Sequence, residues 1–147
     1  MEHLEHPSQE LWNERRRWFE SINEAACGDA CYLVSEQACA LTAEVQATFC
    51  AGAWIGVIVL AMTVIDATLR ETELPGFQGN TSQLIDAAGG SSQLQELRRR
   101  RNTLVHVNPN NPAITVDQQW FARHELELEA KKSVELMFEA FYIGPWV

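Results

Sequence analysis

Arg101, Asn102 and His106 are the residues of this 147-residue chain whose types and spacing suit chemistry on a phosphate. A guanidinium is a permanent cation shaped to grip phosphate oxygens, and an imidazole exchanges protons near neutral pH. Together they make a minimal phosphodiester-cleaving pair: one steadies charge building on the phosphorane oxygens while the other moves a proton. Five positions along an ideal helix separate two side chains by about 140°, so both reach one substrate only from the edges of a groove or where the helix unwinds. Asn108 precedes Pro109, and Asn110, Asn111 and Pro112 extend the break, which puts the motif at a helix C-terminus. Asn102 lies one turn before His106, placed to hold or orient its ring.

The helix that carries these residues has Leu94, Leu97, Arg101 and Leu104 at three-four spacing, so Arg101 shares a stripe with three leucines. A buried, unpaired guanidinium is very costly, and Arg101 should find a carboxylate or point along a cleft. Asp66, the acidic residue that interrupts an apolar central helix, is the best candidate partner, with Glu71 as second choice. Arg98, Arg99 and Arg100 form a basic run immediately before the motif.

The remaining sequence reads as helices separated by short breaks. Ser8 can cap a helix over residues 9–26, Gly28 and Asp29 break it, and a second runs over 30–46. A long central helix follows to about residue 73, then a loop over 74–79. Asn80 with Gln83 suggests the cap of a short helix ended by Gly89 and Gly90, and Ser91 opens the helix that ends near His106. A last helix begins around Asp117, with Thr115 and Gln118 at capping-box spacing, and carries Phe121, Leu128, Val134, Met137, Phe138 and Phe141 toward the core. With no strand alternation of useful length, the expectation is an all-α, up-and-down bundle of five to six helices. One domain spans 1–147, with 1–7 as a flexible N-terminal tail.

A composition of 46% hydrophobic and 21% charged residues is ordinary for a globular chain, but the net charge of −9 excludes a surface that neutralises nucleic acid everywhere. Positive charge is local, in Arg15 to Arg17 and Arg98 to Arg101; the first run reads as a solvated helix face. Residues 47–65 carry no charge and include Gly52 and Gly56, which meets the length test for a membrane span. Their Ala, Gly and Thr content, the flanking Glu44 and Asp66 and the lack of aromatic belts favour a buried central helix, hence no membrane and a cytoplasmic chain over a membrane-associated bundle.

Cys27, Cys31, Cys39 and Cys50 read as buried free thiols. Cys27 and Cys31 are a turn apart but lack a nearby His, so neither a metal nor a cofactor is expected. His3, His6 and His124 read as surface residues, and Trp12, Trp18, Trp54, Trp120 and Trp146 as packing in the core or an interface.

Arg101-Asn102-Thr103-Leu104-Val105-His106 resembles the signature of the HEPN superfamily (higher eukaryotes and prokaryotes nucleotide-binding): Arg, a polar residue, a short spacer and His. Phe49, Gly52, the Ile58-Val59-Leu60-Ala61 run and the segment from Thr63 to Glu71 with Asp66 are similar to the central helix of the branch in which an acidic residue follows an apolar Leu-Ala run. The resemblance implies a homodimer in which two motifs line one cleft, and a metal-independent endoribonuclease serving as toxin, antiviral effector or RNA-processing enzyme, with a possible antitoxin or other partner protein. It assigns catalysis to Arg101, Asn102 and His106; Asp66 and Glu71, as candidate partners of Arg101, would support them, and the basic run of Arg98, Arg99 and Arg100 would contact RNA. The ribose 2′-hydroxyl would attack the adjacent phosphate, which restricts the substrate to RNA. Toxins paired with minimal nucleotidyltransferases continue the motif as His-x-Tyr, whereas Asn108 stands at that place here. Some members of the superfamily are non-catalytic modules that bind a nucleotide or a partner, which is the alternative expectation.

Overall fold

Local capping signals start most of the helices of this chain. The computed structural model describes residues 5–146, ordered as α1 (Gln9–Cys27), β1 (Cys31–Tyr32), α2 (Glu36–Cys50), α3 (Trp54–Thr68), a π-helical turn (Leu69–Glu73), α4 (Thr81–Ala87), α5 (Ser92–Val105), α6 (Val116–Phe121), α7 (Arg123–Phe141) and β2 (Pro145–Trp146). Ser8, Ser35 and Ser91 accept hydrogen bonds from the amides of Leu11, Ala38 and Leu94. Asn80 with Gln83 and Thr115 with Gln118 form reciprocal capping boxes. The result is the expected all-α bundle. Its one extended feature among the described residues is a two-residue antiparallel ladder, Cys31 to Trp146 and Tyr32 to Pro145, that ties the loop after α1 to the segment after α7.

The apolar segment lies at the centre because other helices surround it. Val57, Ile58, Ala61, Met62, Val64 and Ile65 of α3 are fully buried, with α2, α5 and α7 packed against their helix and α1 laid over α2 and α7. Trp18, Phe19, Phe49, Trp54 and Phe138 make a chain of ring contacts at one end of this core.

Several expected boundaries shift. The expected central helix runs across Gly52, but the boundary between the second and central helices falls there: residues 47–50 belong to α2 and the central helix, α3, starts at Trp54, Gly52 having a φ of 76° in the left-handed region. No helix among the described residues is long and apolar enough to cross a membrane. The second helix starts at Glu36, after the β1 residues. The last helix is likewise interrupted, at Ala122, so that Phe121 is 86% and Leu128 53% exposed, while Val134, Met137, Phe138 and Phe141 are buried as expected. Only Cys50 of the four free thiols is buried; Cys27 is half-buried and Cys31 and Cys39 are exposed. His6 and His124 are exposed; His3 lies outside the described residues, as do residues 1–4 of the expected tail.

The break at Gly52 is held by charge. Glu5 accepts from Arg15 Nη2 at 2.7 Å and from Arg123 Nη2 at 2.9 Å. Arg15 also donates to the Cys50 carbonyl and Arg123 to that of Gly52. Both guanidiniums lie over the Trp54 ring, at 4.7 and 5.6 Å from its centroid. The basic run of α1 is therefore divided: Arg15 is buried, Arg16 pairs with Glu20 and Arg17 is exposed.

Candidate functional site

Leu94 and Leu97 of α5 are buried and Leu104 is packed against the core, so the stripe expected from their spacing is present. Arg101 lies on it, partly exposed, but without a carboxylate. Its expected partner Asp66 is bound elsewhere. Asp66 Oδ1 accepts from Arg70 Nε at 2.9 Å and Oδ2 from Thr81 Oγ1 at 2.7 Å. The reason is local: Arg70 is four residues on and shares Asp66's helix face, and it also reaches the Gly79 carbonyl at the entry to α4. Glu71 is exposed, and its charge adds to burial in pushing the Cys39 thiol pKa up.

Arg101 forms neither an ion pair nor a hydrogen bond among the described residues, and its Nε is buried without a partner. The rest of the guanidinium lines a surface cavity of about 240 Å³ with Arg98 and Asn102 of α5 and Asn80, Thr81 and Ser82 at the start of α4. Every lining residue is polar. Two arginines on adjacent turns give the cavity local positive charge in a protein of net charge −9.

Hydrogen bonds set the cavity walls. Gln95 is the hub between the two helices: its Nε2 donates to the Ser82 carbonyl at 2.9 Å and to Asp86 Oδ1 at 2.8 Å. Its Oε1 accepts from Arg98 Nε at 2.8 Å, which anchors Arg98 by one nitrogen, the other two having no hydrogen-bond partner among the described residues. Thr81, held by Asp66, fixes the same wall to α3.

The other expected residues separate. Arg99 is exposed, and Arg100 turns to the opposite side of α5, where it pairs with Glu129 at 2.5 Å and donates to the Ala113 carbonyl at 3.0 Å. That pair lies between two further cavities of about 260 and 270 Å³ along the junction of α5 with α7. His106 closes α5, its amide donating to the Asn102 carbonyl at 3.0 Å. Its imidazole is exposed and does not line the cavity of Arg101. The link between Asn102 and His106 is main chain; no side-chain hydrogen bond between them exists in the structure.

Sequence reasoning missed Asn80, Thr81 and Ser82. Their capping box marks the start of a helix but carries no signal of which helix it will face. The described residues contain no cluster of three His, Cys, Asp or Glu side chains arranged to hold a metal ion. Compared with family models, curated proteins and solved structures, the chain matches none.

Proposed function

We propose that this protein is a metal-independent endoribonuclease of the HEPN type, with its site at the C-terminal half of α5. One observation carries the reading: Arg101 has no ion-pair or hydrogen-bond partner among the described residues although it sits on a core stripe, and its guanidinium opens into a polar cavity beside Arg98 and Asn102. A side chain that costs free energy to place there, with nothing in the chain to offset it, is suited to an anionic ligand. In the reaction, the 2′-hydroxyl oxygen bonds to phosphorus and the bond to the 5′-oxygen breaks. The products are a 2′,3′-cyclic phosphate and a 5′-hydroxyl. Arg101 and Asn102 hold the phosphate oxygens, and His106 moves the proton.

A single His106 cannot both take the proton from the nucleophile and deliver one to the leaving oxygen at the same moment. A homodimer supplies a second copy of it. The segment from α5 through α6 leaves apolar side chains exposed, with Val107 at 88%, Val116 at 70% and Phe121 at 86%, and these are suited to burial against a second copy. His106 standing outside the cavity favours a second reading, a non-catalytic module that binds a nucleotide or partner through the same groove. Incubating the protein with mixed RNA in EDTA and analysing fragment ends separates the two. The nuclease gives cyclic-phosphate and 5′-hydroxyl ends; the module leaves RNA intact.

A further inference from the structure

The cavity beside Arg101 extends beyond the residues of the motif. Arg98 and Asn102 lie one turn apart on α5, advanced by about 6 Å and rotated by about 40°, and His106 follows four residues on at the C-cap, where the backbone is already extended. They form a row about 12 Å long on one side of the helix. At the far end from His106, Arg98 faces Ser82 and Thr81 across the cavity, held in place by its Nε bond to Gln95. The carboxylates nearest this wall are engaged, Asp86 with Gln95 and Asp66 with Arg70 and Thr81. Two guanidiniums one turn apart with no carboxylate between them repel each other, and a shared anion relieves that repulsion.

We propose that the Arg98 end of the cavity, walled by Thr81 and Ser82, is a second phosphate subsite, so that a single RNA strand runs along α5 with one phosphate at Arg98 and the phosphate to be cleaved between Arg101 and His106. Resting on the nuclease reading, this subsite makes two consecutive phosphates the minimum for good binding and selects single strands. A duplex would bring a second phosphate backbone toward Asp86, whose bond to the neutral Gln95 leaves its charge in place, and toward Glu96, which lines the cavity on the Arg100 side of α5.

The test uses 2′-O-methyl oligonucleotides, which lack the nucleophile, so that binding is read without cleavage. Calorimetry compares a dinucleotide bearing one phosphodiester with a trinucleotide bearing two, on wild type, Arg98→Gln and Arg17→Gln, the last an equal charge change on α1. Wild type and Arg17→Gln should bind the trinucleotide about tenfold more tightly than the dinucleotide, and Arg98→Gln should erase that gain. A melting curve confirms that Arg98→Gln is folded; if it is not, Arg98→Lys, which keeps the charge but loses the planar fork, should retain only part of the gain. The subsite is overturned if wild type gains nothing from the second phosphate, or if Arg98→Gln keeps the gain or Arg17→Gln loses as much. Cleavage of the unmodified trinucleotide is followed in parallel. An intact binding pattern without cleavage removes the nuclease reading and leaves the subsite standing, while cleavage with no effect of Arg98→Gln on either measurement removes the subsite alone.

Discussion

Asp66 is bound to Arg70, at 2.9 Å, and not to Arg101 on the helix that carries the motif. Its two carboxylate oxygens each accept one hydrogen bond, from Arg70 and from Thr81, which couples the end of α3 to the start of α4 and leaves Arg101 to the cavity. Asp66→Ala should therefore lower stability by about 1–2 kcal/mol through the loss of those two hydrogen bonds, both partly solvated. Arg101→Gln, which breaks no pair, should unfold within about 0.5 kcal/mol of wild type. Urea denaturation of both variants checks this, and a large loss for Arg101→Gln would mean that its charge has a partner in solution.

Glu5 joins two arginines 108 residues apart in sequence, Arg15 and Arg123, against Trp54. Glu5→Gln removes the negative charge and leaves Arg15, whose side chain is only 9% exposed, buried with an uncompensated charge. The expected cost is about 2–3 kcal/mol, somewhat below that of a fully buried pair. Glu20→Gln breaks the exposed pair with Arg16 and should change stability by no more than about 0.5 kcal/mol. Thermal melts of the two variants side by side give the comparison; equal melting would show that the Glu5 contact does not persist.

Gly52 stands inside the same arrangement, with a φ of 76° and no room for a side chain, since a Cβ there would run into the Glu5 carboxylate and come within 3.0 Å of Arg15 Nη1. Gly52→Ala should destabilise by more than about 1 kcal/mol, combining backbone strain with displacement of Glu5. Gly28→Ala keeps a positive φ of 56° but meets open space, so it should cost less. Unfolding measurements that ranked the two the other way would contradict the packing at Gly52.

The Tyr142 hydroxyl donates to Asn23 Oδ1 at 2.7 Å, and its pKa is pushed up to about 12, first by burial and then by the neighbouring Cys27 thiol. A phenol whose folded pKa exceeds its unfolded value near about 10 stabilises the fold below that pH. The contribution is lost as pH rises from about 10 through about 12. The difference between ultraviolet titrations of wild type and Tyr142→Phe should show a tyrosinate forming well above pH 10, and a midpoint near 10 would count against the buried geometry.

How much was legible in the sequence follows the range of each interaction. Caps act over three residues, so the starts of α1, α4, α5 and α6 were readable from Ser8, Asn80, Ser91 and Thr115. Pro109 likewise marked the end of α5 at His106. Gly52 and Ala122 broke helices that apolar periodicity had run together, because a single left-handed glycine or one tight junction leaves the hydrophobic pattern almost unchanged. Stripe reasoning paired Arg101 with a distant carboxylate, although an i,i+4 arginine was already in reach of Asp66. The cavity wall from Asn80 to Ser82 was not legible at all, since the approach of α4 to α5 depends on Gln95 and on tertiary packing.

The central claim, that Arg101 and His106 act on RNA without a metal, is tested most directly by the single-turnover rate of RNA cleavage in EDTA for wild type, His106→Ala and Arg101→Gln. Wild type should leave 2′,3′-cyclic phosphate and 5′-hydroxyl ends. His106→Ala should fold and bind an uncleavable 2′-O-methyl RNA normally while its rate falls by about two to four orders of magnitude, and Arg101→Gln should lose both binding and rate. RNA left uncut by wild type, cleavage that appears only with added magnesium or manganese, or an undiminished rate in His106→Ala would contradict the account.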